Sequence, residues 1–201
     1  MQHDPTLYTP AEAAVLSRLS LKAVNNAIDK KTVVAKRRGG ARVVDEQALI
    51  YLALEKELAR DTTPAFRRRV FTEIVSGPRR QVITVGALKL DLRAPRRAIK
   101  ERIGQLRRVN RLVVTDPEIM GGQPVFRGTR VPVHLVAERL GQGETRERVH
   151  EDFPRITDEM IRLAPMYAAA HPLRGRPSKQ PWHDREPNDV WRVAIPSPDG
   201  L

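Results

Sequence analysis

Five helix-starting signals cut this chain into short pieces. Thr9-Pro10, Ser20, Asp45, Thr63-Pro64 and Thr157 each stand directly before a stretch with apolar residues at helical spacing. A Ser, Thr or Asp side chain there accepts a hydrogen bond from an amide of the first turn that has no helical partner, and proline at the first helical position has no amide to lose. Gly77-Pro78, Gly141-Gln142-Gly143 and Phe153-Pro154 close segments again. Punctuation this dense excludes one long helix or a large sheet. It predicts a mainly α fold with small β-hairpins, an α+β arrangement.

The first 60 residues read as one unit. Glu12 follows Thr9 at capping-box spacing, and Ala11, Ala14 and Val15 carry an apolar face to about Ser17. After the turn Arg18-Leu19, Ser20 caps a second helix. Its inward positions are Leu21, Val24 and Ile28, and its outward positions are Lys22, Asn25, Asn26, Asp29 and Lys30. Two β-prone runs, Val33 to Arg38 and Ala41 to Val44, flank Gly39-Gly40, as a tight hairpin requires. Asp45 caps a third helix from about Glu46 to Leu58, with Leu49, Leu52 and Leu54 apolar. Helix, turn, helix, basic hairpin, helix is the order of a winged helix-turn-helix.

That order suits duplex DNA. Asn25 and Asn26 offer donor and acceptor groups to base edges, with adenine as the natural match, and Lys22 and Lys30 share their face. Lys36, Arg37, Arg38 and Arg42 surround the hairpin, where they can reach phosphates or the minor groove. The competing reading is a small helical domain with a solvated basic hairpin.

Charge supports the first reading. The 201 residues carry a formal net charge of +12. Residues 61–110 hold 13 Lys/Arg against 4 Asp/Glu, whereas residues 111–171 hold 8 against 9. The basic surplus therefore lies early, and with it the expected nucleic-acid face.

Residues 61–110 predict a helix-hairpin-helix connector. In the first helix Phe66, Val70 and Ile74 recur every four residues while Arg67, Arg68 and Arg69 fan outward. In the hairpin, around Gly86-Ala87, Leu88, Leu90 and Leu92 form one buried face. The second helix runs from Pro95 to about Val109 with Ile99, Ile103 and Leu106 on one face. Arg97, Lys100, Arg107 and Arg108 lie elsewhere, as a phosphate-contacting surface or an ordinary solvated one. Residues 111–171 predict a glycine-rich loop and three helices, near Val133–Leu140, Thr145–Asp152 and after Thr157. Met160, Ile161, Ala164 and Tyr167 point inward, and Pro165 within that helix costs about 3 kcal/mol unless a kink absorbs it. A near-neutral module of this kind suits dimerisation. Arg127 and Arg130 serve it or bond loop carbonyls.

No enzyme signature stands out. His3, His134, His150, His171 and His183 form no ligand pair of the HExxH kind, no Lys-Ser/Thr pair follows the glycines, and there is no nucleophile elbow. With no cysteine, disulfides and thiolate metal sites are excluded, and no cofactor is expected. No apolar run reaches the roughly 18 residues of a membrane span, and the N-terminus lacks a signal-peptide pattern, so a cytoplasmic location is expected.

Two stretches resemble known families. YTPAEAAVLSRLSLKAVNNAID with the RRGGARVVD hairpin resembles the MerR and excisionase type of winged helix. GGQPVFRGTRVPV followed by DFPRIT resembles domain of unknown function 433. That resemblance implies a homeodomain-like three-helix domain over 111–171. Because such proteins are often encoded beside a PIN-domain toxin, it also implies a VapB-type antitoxin that represses its own operon.

The segment 172–201 completes that picture as an extended tail. It holds 6 of the 16 prolines and both tryptophans. Under the antitoxin reading it docks on the PIN-domain toxin. Arg174 and Arg176, or Arg185 or Arg192, would meet the toxin's carboxylates, with Trp182 and Trp191 as apolar anchors. The alternatives are a stand-alone transcriptional regulator without a toxin and, furthest from these residues, an enzyme acting on nucleic acid. DNA readers of this kind usually bind as a homodimer or a higher even-numbered assembly.

Overall fold

The computed structural model describes residues 7–173. The site residues Arg174, Arg176, Trp182, Arg185 and Trp191 lie outside the described residues. The fold is mainly helical with small antiparallel sheets. β1 (Leu7–Tyr8) precedes α1 (Pro10–Ser17), α2 (Leu21–Asp29), β2 (Lys36–Arg38), β3 (Ala41–Asp45) and α3 (Glu46–Asp61). α4 (Pro64–Ser76), β4 (Val82–Val85), β5 (Leu88–Asp91) and α5 (Arg93–Leu112) follow. β6 (Val113–Val114), a 3-10 turn at Met120–Gly122, β7 (Val125–Phe126), α6 (Val133–Gly141), α7 (Arg146–Asp152) and α8 (Asp158–Ala170) complete it. Among the described residues no helix is long and apolar enough to cross a membrane.

All five starting signals cap helices. At α1, Thr9 N–H donates to Glu12 Oε2 at 2.8 Å while Glu12 N–H donates to Thr9 Oγ1 at 3.3 Å, a complete capping box. Ser20, Asp45, Thr63 and Thr157 accept from amides three residues on. The turn between α1 and α2 is tight because Arg18 adopts a left-handed φ of 57°, and the Leu19 amide bonds back to the Ala14 carbonyl at 3.0 Å.

α1 is enclosed rather than one-sided. Glu12, Ala13, Ala14, Leu16 and Ser17 are buried, whereas the expected face residues Ala11 and Val15 are half-exposed. Small alanine side chains let α2, α3, α5 and α8 all pack on this one helix. The buried side chains form a continuous core from Tyr8 to Ala170. α5, with Ile99, Ile103, Leu106 and Val109 inward, and α8, with Met160, Ile161, Leu163, Ala164, Tyr167 and Ala170 inward, are its longest contributors from the second half of the chain.

Several orientations differ from the sequence reading. Leu21 is 42% exposed, because Ala27 takes the third inward position of α2 beside Val24 and Ile28. Arg67 does not fan outward. Its side chain pairs with Glu55 at 3.6 Å and donates to the Thr62 carbonyl at 2.8 Å, tying α4 to α3. In the β4–β5 hairpin Ile83 and Val85 supply the buried face. Leu92 is buried and Leu90 half-buried, but Leu88, at the turn and beyond its support, is 51% exposed. α5 extends past both expected ends. Asp91 Oδ1 accepts from the Arg93 amide at 2.9 Å, and Pro95 falls in the first turn, where proline is tolerated. α8 runs through Pro165, whose ring lies on the exposed side of the helix.

Leu106 is 1% exposed at the centre of this core. Leu106→Ala should lower stability by about 2–5 kcal/mol. Urea unfolding followed by helical circular dichroism checks the loss. At the α6–α7 junction Arg139 pairs with Glu144 at 2.6 Å and with Asp152. The Arg139 hydrogen bond holds the Asp152 carboxyl below its ordinary range. A depressed folded value contributes stability above the unfolded value, and that stability is lost as pH falls through the folded one. Asp152→Asn should therefore melt below the parent at neutral pH, with the gap closing as the solution is acidified through the carboxylate range.

Candidate nucleic-acid interface

α2 sits at the edge of the molecule. Val24, Ala27 and Ile28 cover α1, and Lys22, Asn26, Asp29 and Lys30 are exposed on the outer side. β3 pairs with β1 on one side and with β2 on the other. The β2–β3 hairpin turns through Gly39 and Gly40, with φ of 55° and 78°. Both central residues of this two-residue turn need positive φ, which glycine supplies without strain.

The hairpin's register places Arg38 opposite Ala41 at the turn, Arg37 opposite Arg42, and Lys36 opposite Val43. Lys36, Arg37 and Arg38 are exposed. Lys36 lies 3.8 Å from Asp45, a surface pair that holds it weakly.

Arg42 behaves differently. Its Nη1 lies 2.6 Å from Asp29 Oδ1 and its Nη2 donates to Asn25 Oδ1 at 2.9 Å. Two charge-assisted or polar bonds from one guanidinium thus clamp the hairpin to α2. Asn25 is half-buried and engaged with Arg42, while Asn26 is exposed one position on. Asn26 and Lys30 also rim a hollow of about 340 Å³ between α2 and the end of α3. The site therefore divides. Asn25 and Asp29 meet Arg42 of the hairpin, Asn26 and Lys30 rim the hollow beside α3, and Lys22 is exposed. Asp29 is the residue that sequence reasoning placed outward without a role. Its partner is 13 residues away, a separation that leaves no local signal.

Part of the basic surplus is structural. Arg102 donates to the Leu16 carbonyl of α1 at 2.8 Å, Arg96 to the Arg80 carbonyl at 3.1 Å, and Arg108 to Glu159 at 3.2 Å. Arg68, Arg69, Arg97 and Lys100 stay exposed.

The loop arginines of the C-terminal half also part. Arg127 Nε donates to the Arg111 carbonyl at 3.1 Å, which is the backbone-satisfying role. Arg130 is exposed. His134 is half-buried, with Nε2 2.8 Å from the His171 carbonyl, and the His171 ring meets Asn110 Oδ1 at 3.0 Å. Among the described residues no group of three or more His, Asp or Glu side chains could hold a metal ion.

Residues 113–168 match the family described as Protein of unknown function (DUF433). An uncharacterized protein, y4eO of Sinorhizobium fredii (strain NBRC 101917 / NGR234), is 38% identical over 183 residues, covering 83% of this chain and 82% of that one. The X-ray crystal structure of Rv2018 from Mycobacterium tuberculosis aligns over 82% of this chain and 99% of its own, at 16% identity and a TM-score of 0.30. By its identity and shared length, the chain belongs to the family of y4eO, with its DUF433 segment at residues 113–168.

Proposed function

We propose that the chain is a DNA-binding regulator whose first 60 residues act as a winged helix-turn-helix, with α2 in the major groove and the β2–β3 hairpin as the wing. One observation carries this reading: the polar face of α2 is exposed and held beside a basic hairpin by Arg42. An α-helix fits the major groove of B-DNA, and hairpin arginines next to it meet the flanking phosphates. Lys22, Asn26 and Lys30 are exposed on the polar face of α2, and Asn26 is the base reader. Arg37 and Arg38 are phosphate contacts. Arg42 sets the angle between helix and wing, and Asn25 serves that clamp in the free protein.

The fuller proposal is an antitoxin that represses its own operon and neutralises a PIN-domain toxin through residues 172–201, with residues 111–171 as a homeodomain-like dimerising domain. What supports it is the resemblance of the two sequence stretches. A stand-alone regulator shares the same DNA face and differs only in lacking the toxin.

Arg37→Ala and Arg38→Ala should weaken binding to every duplex and reduce the salt slope by about one per residue, read by titration at several salt concentrations. Asn26→Ala should instead cost about 1–3 kcal/mol of discrimination at one base pair and spare non-specific binding. Unchanged binding in all three variants would contradict the wing and helix assignment. Deleting residues 172–201 should abolish co-purification with the product of the adjacent gene and leave operator binding intact. Retained co-purification would contradict the tail's role and leave the DNA reading standing.

A further inference from the structure

A cleft of about 800 Å³ opens between the loop after β7 and the turn from α7 to α8. Gly128 to Val131 line one side and Asp152 to Arg155 the other. These are the GGQPVFRGTRVPV and DFPRIT stretches, separate in sequence and joined here in one concavity.

Both walls are held in shape. Thr129 Oγ1 donates to the Phe126 carbonyl at 2.9 Å and accepts from the Val131 amide at 3.1 Å, and Gly128 takes a φ of 77°. Opposite, Asp152 pairs with Arg139 and lies 3.8 Å from Arg148, so the acid in the cleft is already neutralised. The Arg139 guanidinium stands 5.3 Å over the Phe153 ring.

Two arginines on the cleft remain unused. Arg130 and Arg155 are exposed, and neither has an ion-pair or hydrogen-bond partner among the described residues. Their neighbours Arg127, Arg139, Arg146 and Arg148 all do. The remaining lining is apolar: Val114, Ile119, Val131 and Phe153.

We propose that this cleft binds a peptide segment of a partner protein that carries an Asp or Glu beside an apolar residue. The carboxylate pairs with Arg130 and Arg155, whose planar forks suit it. The neighbouring apolar side chain covers Ile119, Val131 and Phe153. A volume of this size falls within the range of preformed ligand sites. A nucleic-acid backbone fits less well. It offers nothing to the apolar lining, and residues 111–171 hold 8 Lys/Arg against 9 Asp/Glu, so they generate little attraction for phosphate. The site is separate from α2 and the β2–β3 hairpin and does not rest on the DNA-binding reading.

The test uses the full chain and labelled hexapeptides containing Glu-Leu, Asp-Leu or Asp-Phe, with the Gln and Asn counterparts as controls, read by fluorescence anisotropy. Acidic peptides should bind and the amide counterparts should bind at least about tenfold more weakly, as the loss of a charge-assisted hydrogen bond implies. Arg130→Gln with Arg155→Gln should weaken the acidic peptides by at least about tenfold at an unchanged melting temperature. Arg162→Gln, an exposed arginine outside the cleft, should change nothing. Three results would overturn the proposal: no acidic peptide binds, the amide peptides bind equally, or the double variant binds like the parent. Hydrogen exchange supplies a fourth arm, in which protection of the cleft amides by duplex DNA but not by peptide would overturn it as well.

Discussion

Among the described residues, four helices converge on a single helix of eight residues. α1 packs against α2, α3, α5 and α8, and it can do so because Ala13 and Ala14 leave room for close approach. The residue that closes it, Arg18, turns the chain through a left-handed conformation and sets the start of α2. α2 then needs only Val24, Ala27 and Ile28 to complete its contact with α1, which leaves its polar face outside. The exposure of that face is a consequence of how α1 is enclosed, and α5 and α8 from the second half of the chain take part in enclosing it.

A second fixing point lies above α2. Arg42 reaches from β3 to Asn25 and Asp29, so hairpin and helix hold a defined angle before any partner arrives. Both ends of this clamp are partly solvated, and exposed ion pairs contribute little stability. Its value is geometric. It also balances Asp29, the one acidic side chain on the outer side of α2, which would otherwise oppose a polyanion.

Local chemistry was legible in the sequence and tertiary choice was not. Thr9 with Glu12, Ser20, Asp45, Thr63 and Thr157 announce helices because a cap acts within four residues of itself. Gly39-Gly40 announces its hairpin for the same reason. Orientation depends on neighbours far along the chain. Leu21 and Leu88 fit apolar patterns yet stay 42% and 51% exposed, since the described residues leave the first turn of α2 and the tip of the β4–β5 hairpin only partly covered. Arg67 and Arg102 look like surface charge and instead satisfy Glu55 and the Leu16 carbonyl. Of the eight DNA-facing candidates, Lys22, Asn26, Lys30, Lys36, Arg37 and Arg38 are exposed, while Asn25 and Arg42 bind each other. That bond spans 17 residues, beyond the reach of any periodicity.

The most direct measurement is an amide nuclear magnetic resonance map of the full chain titrated with a duplex taken from upstream of its own gene. If α2 and the β2–β3 hairpin form the DNA face, shifts should concentrate in residues 21–30 and 36–42. Shifts confined to α5 and α8, with α2 and the hairpin undisturbed at saturating duplex, would contradict it.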